Sequence, residues 1–135
     1  MYEAIPTKAD KPDKAERGLD PKAKFNGRKV NVQYVPPAVI AEISEALDEG
    51  REKYGVSEWR NTKTESMTYL GGALRHIYAY LDGEDFDPES TRGKSHLAGA
   101  LASLAILVDC LKMGTIVDNR PPKGPQGLFR MKVDK

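Results

Sequence analysis

From Leu97 to Val108 the chain reads LAGALASLAILV, a run with no charge and a single hydroxyl, Ser103. At the helical period these positions cover every side of a helix instead of one stripe, so the rest of the chain has to be built around it. Ala98, Gly99, Ala102, Ser103 and Ala105 are small and let other helices approach closely. A helix from about Lys94 to Met113 is predicted, with Ser95 as its N-cap and Gly114 as its stop. The apolar run is broken by Ser103 and closed by Asp109, too short for a membrane span. Asp109, on the face of Ala98, Ala102 and Ala105, is either a surface charge near the helix end or a carboxylate ligand.

Two more helices are expected ahead of it. Residues 66 to 81 carry Met67, Leu70, Leu74, Ile77 and Leu81 as one apolar stripe. Gly71 and Gly72 lower helix propensity near its start and point to close backbone packing there. Arg75 and His76 flank the stripe on opposite sides. Residues 37 to 54 form the other helix, started by Pro37 and closed by Gly55, with Ile40, Ile43 and Leu47 on one face. Glu42, Glu45, Glu49 and Lys53 fall on another face. Those three carboxylates suit a hard divalent cation, which wants several oxygen ligands, and equally suit the wet side of an amphipathic helix with Lys53 paired to Glu49.

Between the last two helices runs GEDFDPESTRGKS, with Glu84, Asp87 and Glu89 close together and Pro88 stiffening the turn. Clustered carboxylates raise one another's pKa unless a cation compensates. Both histidines, His76 and His96, bracket this loop. A helix, an acidic loop and a helix opened by His96 frame a metal or phosphate site, or only a helical hairpin with a polar turn. Trp59, the sole tryptophan, reads as an anchor over the core edge.

The ends have a different character. Residues 1 to 29 mix charge, Pro and Gly with few large apolar side chains and are expected to be a flexible charged arm. VNVQY, beginning at Val30, alternates like a short extended segment. Residues 115 to 135 form a Pro- and Gly-rich tail with no sustained period, either packed or disordered. The helical domain between them spans residues 30 to 114. Lys and Arg total 21 against 20 Asp and Glu, a net charge of +1 that draws the chain neither to nucleic acid nor to membrane. One cysteine, Cys110, excludes an internal disulfide and a cysteine zinc cluster. With no apolar leader at the start, the expectation is a soluble cytoplasmic protein. No phosphate-cradling glycine motif or nucleophile elbow is present.

From Tyr34 to about Leu111 the chain resembles the phage-associated dATP/dGTP diphosphohydrolase domain, related to the MazG-like all-α nucleotide pyrophosphohydrolases. VPP at Val35 to Pro37, KYG at Lys53 to Gly55, EWR at Glu58 to Arg60, ALRH at Ala73 to His76, GED at Gly83 to Asp85, DPES at Asp87 to Ser90 and HLAGA at His96 to Ala100 carry the similarity. The resemblance implies an all-α bundle of three main helices completed by oligomerisation as a dimer or tetramer. It also implies metal-assisted cleavage of a deoxynucleoside triphosphate to monophosphate and pyrophosphate, with Mg²⁺ or Mn²⁺ as cofactor. Glu84, Asp87, Glu89 and His96 are then the catalytic candidates, and Arg75, His76, Lys53 and Trp59 the substrate-binding ones. Candidate metal ligands are Asp87, Glu89 and His96, with Glu42, Glu45 and Glu49 only approximating the E-E-x-x-E helix of the broader group. An imidazole ligand favours Mn²⁺, Fe²⁺ or Co²⁺ over Mg²⁺.

The chain departs from that family at Gly99, where a second histidine is usual, at Ser103, where an Asn is usual, and in a turn before His96 that is longer by two residues. These departures favour a competing expectation, a non-catalytic helical nucleotide-binding or assembly module. A basic arm acting on DNA is the weakest alternative, because acidic residues interleave its lysines.

Overall fold

The structure is a computed structural model that describes residues 20–132. The chain divides into two compact units, Met1–Pro37 and Ala38–Lys135. Of the expected charged arm, residues 1–19 lie outside the described residues. In the first unit Pro21–Arg28 forms a 3-10 helix and Val32–Tyr34 a 3-10 turn. VNVQY is therefore not extended. Tyr34 N donates to Asn31 O at 3.4 Å and Val35 N to Val32 O at 3.2 Å, so turn bonds satisfy a backbone that has no partner strand.

The second unit is all-α apart from one small pairing. Helix α1 spans Pro37–Tyr54, α2 Ser66–Leu81 and α3 His96–Met113. Pro37 opens α1, where its missing N–H costs no helical bond. Ser95 caps α3 by accepting from Ala98 N at 3.0 Å, so the helix proper begins at His96, two residues later than expected. Gly114, at φ +73°, ends it in the left-handed conformation.

α3 is central, with Ala98, Gly99, Ala100, Ala102 and Cys110 buried. Ala46 and Leu47 of α1 pack on Ala98 and Ala102. Which face of each helix turns inward differs from the apolar stripes. On α2 the inner residues are Ser66 and Ala73, while Met67, Leu74, Ile77 and Leu81 are exposed. The small side faces α3: a Cβ on Gly72 would come into van der Waals contact with Ser103 Oγ at 3.4 Å, and Ala73 is buried. Small residues let α2 sit against α3, and the large side chains are left outside. On α1, Ile40 is exposed and the buried residues are Ala46 and Glu49.

The segment after α3 is partly built into the unit. β2 (Ile116–Val117) pairs in parallel with β1 (Thr64–Glu65), and Asn119 Oδ1 accepts from Met67 N at 2.9 Å. A tail residue thus satisfies one of the free N–H groups that open α2. By length and composition alone α3 passes as a membrane-crossing helix, with a mean hydropathy of 1.5 over its 18 residues. The apolar run is shorter than that, but the helix extends past it on both sides.

Candidate active site

The acidic loop is tightly folded. His96 N donates to Asp85 O at 2.9 Å and Asp87 N to Lys94 O at 3.0 Å, pinching the two ends of the loop into a short antiparallel bridge, Phe86 to Ser95. Asp87 Oδ1 accepts from Glu89 N at 2.9 Å, an Asx-type turn that fixes the carboxylate from its own backbone. Asp87 is thereby folded back toward the start of α3.

There it meets both imidazoles. One ligand atom each from His76, Asp87 and His96 lies within 4.8 Å of the others. His76 Nδ1 and His96 Nδ1 are 2.8 Å apart, and His96 Nε2 is 2.6 Å from Glu84 Oε1. A carboxylate only accepts, so His96 Nε2 donates to Glu84, which turns His96 Nδ1 toward His76 Nδ1. Burial holds the His76 pKa below its ordinary value; Asp87 opposes this, and His96, Lys94 and Arg75 reinforce it. Its imidazole is therefore in the neutral form that ligates metals near pH 7. Two imidazole nitrogens with a carboxylate are a donor set that fits a borderline divalent cation such as Mn²⁺.

Gly99 belongs to this geometry. A Cβ there would lie 2.6 Å from His76 Nε2 and 2.8 Å from Cδ2 and Cε1. The His76 ring fills the space that any side chain at position 99 would need.

A cavity of about 510 Å³ opens on these groups and is lined by Lys53, Arg75, His76, Glu84, Asp87, Glu89 and His96, together with Lys94 and Tyr54. Arg75 has no acidic partner among the described residues, and its guanidinium lies over Gly71, where a Cβ would come within 3.1 Å of Nη1. An unpaired guanidinium next to a cation-type donor set is suited to a polyphosphate.

The three carboxylates of α1 are separated by their partners. Glu49 is 1% exposed and accepts from Ser90 Oγ at 2.8 Å, Thr91 N at 2.9 Å and Lys94 Nζ at 3.1 Å. Burial alone pushes its carboxyl up, but the bonds from Ser90, Thr91 and Lys94 outweigh it and hold it at about 2. Glu42 accepts from Ser95 Oγ at 3.1 Å. Glu45 lies 3.7 Å from Arg92, whose guanidinium also holds Asp48 and Glu52. Glu42, Glu45 and Glu49 thus bind the 90–95 turn to α1, and none of their contacts converges on the histidines. Lys94, which the sequence reading did not single out, bridges Glu49 at 3.1 Å and Asp87 at 3.7 Å.

Trp59 lies outside the 510 Å³ cavity and lines an adjoining one of about 400 Å³. Its Nε1–H donates to Asp109 Oδ2 at 2.8 Å, and Arg60 binds the same carboxylate through Nε and Nη2 at 2.8 and 2.9 Å. The bonds from Arg60 and Trp59 hold Asp109 at about 2. Asp109 is accordingly neither a lone surface charge nor a metal ligand; it ties the 3-10 turn Glu58–Arg60 to α3. The EWR triplet at the turn and the Asp on the inner side of α3 were the available signals, but nothing local linked them across about fifty residues.

The site is thus a helical hairpin that brings a histidine pair, a carboxylate and an arginine to one cavity. The family model for the N-terminal part of dATP/dGTP diphosphohydrolase matches residues 20–120, and the chain belongs to that family. A relative from Salmonella phage PMBT28, named dATP/dGTP diphosphohydrolase, is 28% identical over 98 residues, which is 73% of this chain and 30% of that protein. The chain thus spans less than a third of that relative's length. No solved structure matches it.

Proposed function

We propose that this chain hydrolyses purine deoxynucleoside triphosphates, dATP and dGTP, to the monophosphate and pyrophosphate with a divalent cation, Mn²⁺ or Mg²⁺. The observation that carries this reading is the convergence of His76, Asp87 and His96 in one cavity with the unpaired Arg75. The similarity to the phage relative agrees with it. His76, Asp87 and His96 hold the cation. When bound, it supplies charge neutralisation at the triphosphate and lowers the pKa of a water.

The chain's own groups do the rest. Arg75 and Lys53 bind the phosphate oxygens from the cavity wall. Glu89 lines the same cavity without a side-chain partner among the described residues, and it takes the proton from the attacking water. The water oxygen bonds to the α-phosphorus, the bond from that phosphorus to the α–β bridging oxygen breaks, and pyrophosphate leaves with the electron pair. Glu84 fixes the tautomer and tilt of His96 through the 2.6 Å contact. A second copy covers the apolar side chains left outside on α2, forming a dimer or tetramer that acts on the cytoplasmic nucleotide pool.

Incubation with each of the four deoxynucleoside triphosphates and Mn²⁺ or Mg²⁺ tests the proposal. Pyrophosphate released from dATP and dGTP, more with Mn²⁺ than with Mg²⁺, is the expected result. No release under any of these conditions removes the enzymatic reading.

A second reading has its own support. The family model covers an N-terminal part, and this chain aligns with only 30% of the phage relative. A module that binds the nucleotide without turning it over fits that as well. It predicts a nucleotide-dependent rise in Tm with no pyrophosphate.

A further inference from the structure

We propose that the cavity of about 400 Å³ beside the phosphate site receives the nucleobase, with Trp59 as its fixed aromatic wall and the hydroxyls of Thr64 and Ser103 reading the base edge. This rests on the nucleotide reading above and adds to it where, and through which groups, the base is recognised.

The two cavities share walls. Lys53, Tyr54, His76 and Lys94 line both of them, so a ligand with a polyanionic end in one has its other end at the mouth of the second. The chemistry changes across that seam. Only the phosphate side holds Arg75, His96 and the loop carboxylates, whereas the second cavity adds Trp59, Tyr69, Leu47, Ala102 and Ile106 to the shared residues, with Glu49 and Glu58 also in its wall. Its size lies within the range of small-molecule pockets.

Three hydroxyls in that wall have no protein partner. Thr64 is only 6% exposed, yet its side chain makes no hydrogen bond among the described residues, and neither do those of Ser103 and Tyr69. The one sealed, unsatisfied hydroxyl among the described residues is that of Thr115, so the Thr64 oxygen opens on the cavity instead of being closed off. A buried hydroxyl without a partner is costly unless a ligand or water completes it. Hydroxyls both donate and accept, which matches the mixed donor and acceptor edge of a base and not an anion. Trp59 cannot use its N–H on that edge because Asp109 holds it, and the same bond sets the ring's orientation before a ligand arrives. A planar ligand stacks on such a wall.

Trp59 is the only tryptophan, so its fluorescence reports this cavity directly. The full chain with Mn²⁺ is titrated with dATP, deoxyadenosine and inorganic tripolyphosphate, and so are Ser103→Ala and Thr64→Val. The expected result is that dATP quenches Trp59 and binds at least about ten-fold more tightly than tripolyphosphate. In the two variants, checked for an unchanged Tm, that advantage shrinks to within about three-fold while tripolyphosphate binding is retained. Equal binding of dATP and tripolyphosphate without quenching overturns the base pocket and leaves the phosphate site standing. Quenching by deoxyadenosine with no binding of tripolyphosphate keeps the pocket and rejects the phosphate reading instead. Should Thr64→Val unfold the chain, Ser103→Ala, which removes one oxygen and adds no atom, decides alone, and an undiminished dATP advantage there counts against the proposal.

Discussion

Gly99 is the residue whose meaning changes most between sequence and structure. By resemblance it is a missing histidine. In the fold its lack of a Cβ admits the His76 ring, whose Nε2 occupies the position 2.6 Å from where that Cβ would be. Gly99→Ala should therefore displace His76, costing about 1–3 kcal/mol as an overpacked contact. Urea melts would read the loss, and calorimetric titration with Mn²⁺ would show weaker binding. His96→Ala removes a ligand atom from the 4.8 Å cluster and Asp87→Asn replaces its carboxylate with a neutral amide, and each should lower Mn²⁺ affinity by at least about ten-fold. Unchanged Mn²⁺ binding in both variants would remove the cluster as a cation site.

At the scale of the element, the 84–95 loop is held by α1 more than by itself. Glu49 alone receives Ser90, Thr91 and Lys94, and Arg92 grips Asp48 and Glu52 on the outer side. Replacing Glu49 with Gln leaves Lys94 short of a buried anion and should cost about 2–4 kcal/mol at pH 7. The carboxyl titrates at about 2 in the fold against an ordinary 4.5. Its contribution is therefore complete above about 4.5 and lost as the pH falls toward 2. The stability gap between the native chain and Glu49→Gln should close over that interval. A gap that stays constant from pH 7 to pH 2.5 would show that the ionised carboxylate is not what secures the loop. Asp109, also held at about 2, stabilises the Trp59 and Arg60 turn above about 3.8 and loses that hold as the pH falls toward 2, and Asp109→Asn should loosen the turn at neutral pH. Near-UV circular dichroism of the single tryptophan would follow it.

For the molecule as a whole, the apolar surface left outside the second unit is the open quantity. Leu74, Tyr78 and Leu81 of α2 and Val108 and Leu111 of α3 are exposed. Covering by a second copy predicts that the chain sediments as a dimer or tetramer and that Leu74→Glu with Tyr78→Glu returns it to monomer. A wild-type monomer at micromolar concentration would exclude that arrangement.

The helices themselves were legible in the chain. Pro37 with Gly55, and Ser95 with Gly114, act within one turn of the backbone, and the all-round apolar run of α3 leaves no choice but a central position. Period alone could not say which face of α2 turns inward, since its leucine stripe and its Gly71, Gly72 and Ala73 side both satisfy a helix. The approach distance to α3 chose the small face. The same limit applies to the carboxylates of α1: their spacing gives the exposed positions of Glu42 and Glu45 and the pairing of Lys53 with Glu49 at 3.7 Å, but not the donors that reach them from the 90–95 turn, forty or more residues on. Local chemistry settles where a helix starts, stops and carries its apolar mass. Which imidazole meets which, which carboxylate is already satisfied and which arginine is free depend on contacts between segments distant in the chain, and only the folded packing decides them.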